Sequence, residues 1–214
     1  PTVGLLQDYY AWEWGDALFI VLDPFWSTQS QRGQRNNWNR SLGSAQYLWL
    51  KRTLEASHAR FKLAFIHHLV GGSDEQARGG AEAVPFCEWG GRNLDGSDGF
   101  AKNRSGWAMP IHQLLVQNHV NLVFHGHDHF FAKQEIDGIV YQLVPQPGCP
   151  GEGSAGHAKA YSYTSGVVCP GAGYLRVAVS HDKIGVDYVR TLKSGDGRTA
   201  KRSIEMQYSV FRQD

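Results

Sequence analysis

The chain has 214 residues and a formal net charge of +1, long enough for one domain with a sizeable core and too near neutral to give a broad field for nucleic acid or an anionic membrane. With 42% hydrophobic and 19% charged residues it has the balance of a globular chain, not of a disordered tail. No apolar run approaches the roughly 20 residues of a membrane span, and no basic patch with interleaved aromatics is present.

Tyr9 to Trp14, a Gly15-Asp16 turn and the apolar run Ala17 to Leu22 predict a β-hairpin whose second strand is buried on both faces. Asp23-Pro24 ends it, with Asp23 as a turn former or, alternatively, a site contact at a strand's carboxyl end. Ser27 to Gly43 is a polar loop. Tyr47, Leu50 and Leu54 then recur at helical spacing between Ser44 and Ser57, with Ser41 or Ser44 as the cap. Phe61 to Ile66 is a mostly apolar strand ending in His67-His68. Strand, helix, strand implies parallel pairing through a right-handed crossover.

Residues 71 to 106 hold nine glycines and no sustained periodicity, the mark of a long excursion. Arg78, Arg92, Asn93 and Arg104 lie in it as candidate contacts for an anionic substrate, though solvated arginines are the ordinary case. Pro110 to Val116 opens a second helix, capped by Asn118-His119. The next stretch, Asn121-Leu122-Val123-Phe124-His125-Gly126-His127-Asp128-His129, carries the strongest chemical signal. A buried strand delivers imidazoles at its carboxyl end, where open α/β sheets place ligands. Alternation puts His127 and His129 on one side, and Gly126 offers the positive φ for a turn.

Phe130 to Glu135 and Ile139 to Val144 form a hairpin about Asp137-Gly138. A glycine-rich loop, Pro145 to Gly173, precedes a second hairpin, Leu175 to Val179 and Ile184 to Val189, with His181 in its turn. Ile204 to Phe211 is the last strand. Without repeats or a linker, residues 1–214 are expected to form a single domain. Of three cysteines, Cys87 is expected to be unpaired. Cys149 and Cys169, each in a Cys-Pro-Gly turn, are either bridged in an oxidising compartment, periplasmic or secreted, or unrelated loop thiols.

An apolar strand ending in a histidine (His67), a variable loop, a helix and an apolar strand ending in Gly126-His127-Asp128-His129 resemble the second half of the calcineurin-like metallophosphoesterases, which include the purple acid phosphatases. The hairpin Tyr10 to Asp23 and the helix about Gln46-Tyr47-Leu48-Trp49-Leu50 are similar to the elements before and after that family's fourth motif. The resemblance covers roughly residues 9 to 145. It implies an α/β (α+β) fold, a two-layer β-sandwich of mixed sheets flanked by helices. It also implies a dinuclear site of Fe, Zn or Mn at which an activated hydroxide hydrolyses phosphate mono- or diesters. His67 and His127 would share one metal and His129 would hold the second. His68, His125 and Arg92 remain candidates for substrate contact or for orienting the ligands.

The family's earlier motifs, Asp-x-His, Gly-Asp with a further Asp or Tyr, and Gly-Asn-His, are absent. With an opening Pro1-Thr2-Val3-Gly4 that is neither a signal peptide nor an initiator Met, the expectation is a carboxyl-terminal half whose missing N-terminal half completes the site. Two other readings stand beside it. One is a non-catalytic metal-binding or regulatory domain; the other is a different zinc hydrolase, because His125-x-His127-x-His129 faintly resembles the metallo-β-lactamase run.

Overall fold

A computed structural model describes residues 8–29, 36–148, 155–193 and 200–212. In chain order the elements are β1 (Tyr10–Trp14), β2 (Ala17–Leu22), α1 (Gly43–Ala56), β3 (Phe61–Ile66), the one-turn helices α2 (Cys87–Gly90) and α3 (Phe100–Asn103), and α4 (Ile111–Gln117). Then follow β4 (Leu122–His125), β5 (Phe131–Ile136), β6 (Ile139–Leu143), β7 (Val167–Cys169), β8 (Gly173–Val179), β9 (Lys183–Lys193) and β10 (Ala200–Phe211). Seven strands make a mixed sheet ordered β1-β2-β3-β4-β6-β5-β7, and three make a second sheet ordered β10-β9-β8. At the centre of the large sheet β2, β3, β4 and β6 run parallel, so their carboxyl ends open on one edge.

Alternation along the central strands explains the layering. Leu18, Ile20, Ala64, Ile66, Val123 and Tyr141 point to one face and pack with Tyr47, Leu50 and Leu54 of α1 and Ile111, Leu114 and Leu115 of α4. Ala17, Phe61, Leu63, Leu122, Phe124 and Val140 point to the other and pack with Ile184, Val186 and Val210 of the small sheet. Each fully buried aliphatic side chain contributes about 1.5–3 kcal/mol. The result is helices, large sheet and small sheet, in that order. The sandwich is only partly covered. Beyond the small sheet a hollow of about 720 Å³ remains between the sheets, lined by Trp12, Trp14, Phe19, Phe65, Val177 and Val179.

Several local expectations are corrected. Leu42, not a serine, is the N-cap of α1 and makes no side-chain cap bond. Ser41 Oγ accepts from Gly43 N at 2.9 Å, and Leu42 N donates to Oε1 of the fully buried Glu88 at 2.7 Å. Glu88 in turn pairs with Arg104 Nε at 2.7 Å. Arg104 therefore neutralises a buried helix-capping carboxylate instead of waiting for an anion, and Asn93 Oδ1 accepts from Trp38 Nε1 at 2.9 Å. The glycine-rich loop contains a 3-10 segment, Ala155–Tyr161, and strand β7. Strand β7 is set by antiparallel pairing with β5, which local sequence does not announce. Asn118 does cap α4, its Nδ2 donating to Leu114 O at 2.9 Å. Asp137 and Gly138 both take positive φ, the turn expected of a two-residue hairpin. Cys87 is a buried free thiol that burial pushes up to about 12. Among the described residues Cys169 is unpaired too, and Cys149 lies outside them.

Candidate metal centre at the carboxyl edge of the sheet

Strand β3 ends at Ile66 and β4 at His125, and their parallel register sets Ile66 opposite His125. The chain leaving each strand therefore enters the same space. Gly126 N donates to His67 O at 2.8 Å, tying the two exits together. His127 follows, and its Nδ1 lies 3.2 Å from His67 Nε2. The third imidazole, His68, closes a triangle of rings with centroids 5.3–5.6 Å apart.

Hydrogen bonding fixes the tautomer of His127. Its Nε2 lies 2.8 Å from Gln76 O; a carbonyl only accepts, so Nε2 carries the proton and Nδ1 presents its lone pair to His67. Two arrangements satisfy that lone pair: a proton on His67 Nε2, or a cation held by both nitrogens. The spacing suits the cation, because two ligands with bonds of about 2.05 Å at a tetrahedral zinc sit about 3.3 Å apart. A carbonyl behind a ligating imidazole is also the usual orienting contact at metal sites. Burial, then the neighbouring His127 and His129, hold His67 below the ordinary histidine value despite Asp128. A lone pair is thus available at neutral pH.

The turn carrying these ligands is strained. His127 has φ +82° and His129 φ +60°, whereas Gly126 has no positive φ. The expectation that Gly126 supplies the turn is therefore wrong, and so is strict alternation of His127 and His129 on an extended strand. Left-handed backbone costs a side-chain-bearing residue roughly 1–2 kcal/mol, and such strain persists only where surrounding contacts impose it. Asp128 imposes it here. Its side chain is buried, accepting from Tyr163 Oη at 2.8 Å and from Gly79 N at 3.4 Å, with Arg78 Nε 3.6 Å away. Burial raises its carboxyl above the usual range against those hydrogen bonds. Gly80 lets the excursion come this close, since a Cβ there would lie 2.7 Å from the Tyr163 ring.

His68 and His125 are both buried and pushed down to about 3, burial being the main cause and nearby imidazoles adding to it. Among the described residues neither nitrogen of His68, nor Nε2 of His125, has a hydrogen-bond partner. Among the described residues no group of three or more His, Cys, Asp or Glu side chains converges on one point. The structure thus brings His67 and His127 together with His68 beside them, and leaves His129 exposed without joining that pair.

No protein-family profile matches the chain, and no curated protein matches it in sequence. Solved structures do. That of PhoD aligns with TM-score 0.63 at 15% identity over 95% of this chain and 42% of its own. GAP50, the anchor in the inner membrane complex of Plasmodium, aligns with TM-score 0.55 at 12% identity over 96% and 54%. A purple acid phosphatase from yellow lupin seeds, at TM-score 0.47 and 12% identity over 95% and 32%, is too distant to add to these. The chain has part of the metallophosphoesterase fold.

It spans about half the length of the structures it matches, or less. Within this part of the metallophosphoesterase fold Arg92 is not brought to the histidines. Its exposed side chain lines another hollow with Gly91, Asp98 and Pro110. Asp23 and Asp74 serve turns, accepting from Phe25 N at 2.7 Å and from Gln76 N at 2.8 Å. Sequence reasoning missed the Gln76 carbonyl, Tyr163, Phe25 and Arg40. The last turns its guanidinium onto the carbonyls of Gly71, Asp74 and Glu75 and helps keep His68 neutral. No spacing signal marks these residues. Among the described residues no helix is long and apolar enough to cross a membrane.

Proposed function

We propose that this chain carries part of the centre of a metal-dependent phosphoesterase, with His67 and His127 as two ligands of one ion and His129 as a ligand of a second. The observation that carries the reading is the 3.2 Å approach of His67 Nε2 to His127 Nδ1 at the carboxyl edge of the parallel strands, with the His127 tautomer set by Gln76. Zn, Fe or Mn suit such nitrogen donors. A bound ion of this kind polarises a phosphoryl oxygen and acidifies water. The protein's own work is to hold the two imidazoles, fix their tautomers, and keep His68 and His125 neutral and poised around them.

Two close imidazoles are too few for a catalytic ion. Because the chain also spans under two thirds of the structures it matches, we infer that the remaining ligands, carboxylates among them, come from parts of the fold outside these 214 residues. The lack of a convergent third ligand among the described residues favours a second reading, a metal-binding or regulatory domain without turnover. The two are separated by assaying the natural full-length protein on para-nitrophenyl phosphate and its bis-ester. The first reading expects hydrolysis that a chelator removes and Zn, Fe or Mn restores, and that His67→Ala and His127→Ala lower at least a hundredfold. Metal retention without hydrolysis of either ester would leave only the second.

A further inference from the structure

Beyond the histidines, the segment leaving β2 carries two consecutive large aromatic side chains in solvent, Phe25 at 58% and Trp26 at 45% exposure. Scattered exposed apolar residues are normal, but Phe25 is held against the candidate centre and Trp26 follows it in the chain. The Phe25 ring lies 5.7 Å from the ring of His67 and 5.2 Å from that of His68. Trp26 stands edge-on to Tyr9 at 5.8 Å.

The backbone beneath them is fixed from several sides. Asp23 N donates to Oε1 of the fully buried Gln46 at 2.9 Å, and Gln46 Nε2 returns a bond to Asp23 O at 3.0 Å. Asp23 Oδ1 accepts from Phe25 N, Pro24 locks its own φ, and Thr28 donates from Nα to Phe25 O at 3.1 Å and from Oγ1 to Pro24 O at 2.7 Å. Exposed rings on a rigid turn lose little entropy when a flat ligand covers them, and an aromatic face beside a polar centre orients a ligand with one apolar and one polar end.

Resting on the metallophosphoesterase reading, we propose that Phe25, flanked by Trp26, is a specificity platform for the planar aromatic group of a phosphate ester whose phosphoryl end faces His67 and His127. Phosphonates test this without turnover. Calorimetry on the natural full-length protein loaded with Mn²⁺ would compare phenylphosphonate with methylphosphonate, with retained metal assayed on the same sample. The phenyl compound is expected to bind about tenfold tighter, a margin that Phe25→Ala cuts to about twofold while Phe25→Tyr keeps it. Metal retained by each variant, and the behaviour of Phe25→Tyr, check that the substitutions leave the centre in place. Equal affinity for the two probes, or an undiminished preference in Phe25→Ala and Trp26→Ala, with metal retained, would overturn the platform alone. Loss of metal and of both probes would overturn the phosphoesterase reading with it.

Discussion

Asp128 is the side chain on which the strained turn depends, and its removal has a size that the structure sets. Asp128→Ala leaves the Tyr163 hydroxyl and Gly79 N without their acceptor, both in surroundings that exclude water. Each unsatisfied buried donor costs about 1–3 kcal/mol. Part of that returns, because the wild-type carboxylate is itself held at a desolvation penalty. A net loss of roughly 2–4 kcal/mol is expected by this accounting. Asp128→Asn keeps an acceptor for Tyr163 and should lose no more than about half as much. Tyr163→Phe removes the same bond from its other end, so the two positions should couple by roughly 1–2 kcal/mol in a double-mutant cycle. Urea unfolding of the four proteins measures it. Additivity within about 0.5 kcal/mol would refute the claim that this bond holds the turn.

Glu82 offers a pH-dependent counterpart. Its carboxylate accepts from Thr164 N at 2.8 Å, Ser165 N at 2.7 Å and Gln134 Nε2, clamping the excursion to the segment after Tyr161. Burial alone would raise its carboxyl, but the hydrogen bonds from Gln134, Ser165 and Thr164 outweigh it and hold it below the usual range. A depressed carboxyl stabilises fully above its unfolded value of about 4.3 and loses that stabilisation as pH falls through the folded value. Glu82→Gln should therefore cost roughly 1–2 kcal/mol at pH 7 and progressively less in acid; denaturation midpoints at pH 7 and pH 3 with an equal gap would contradict it. At position 129 the strain itself is testable. His129→Gly and His129→Ala both remove the imidazole, but only glycine accepts φ +60° freely. The Gly variant should exceed the Ala variant in stability by about 1 kcal/mol; equal stabilities would refute the strain.

The elements read from the sequence are those written in contiguous residues. The apolar runs Ala17–Leu22 and Phe61–Ile66, the helical spacing of Tyr47, Leu50 and Leu54, and the Asp137-Gly138 turn each specify their structure locally. Strand β7 escaped because its partner β5 is distant in the chain, and the 3-10 segment before it meets the excursion only through space, Arg78 lying over the Tyr161 ring. The same division runs through the site. His67 and His127 were legible as strand-end imidazoles, whereas the turn from Gly126 to His129 was misread. A glycine suggested positive φ, but Asp128 and Tyr163 force that conformation onto His127 and His129 instead. Backbone partners such as Gln76 O leave no trace in residue identity, so the fixing of the His127 tautomer appears only in three dimensions.

On the proposed reading the His67–His127 pair holds a metal ion. Elemental analysis of the natural full-length protein, purified without chelator, tests this against His67→Ala, His127→Ala and a control at His181, an exposed residue of the β8–β9 turn that lies 3.6 Å from the exposed Asp16 of the β1–β2 turn. Retained Zn, Fe or Mn should fall to a small fraction of wild type in the first two and stay unchanged in the third. Full retention in His127→Ala would contradict it and place the retained metal elsewhere in the molecule.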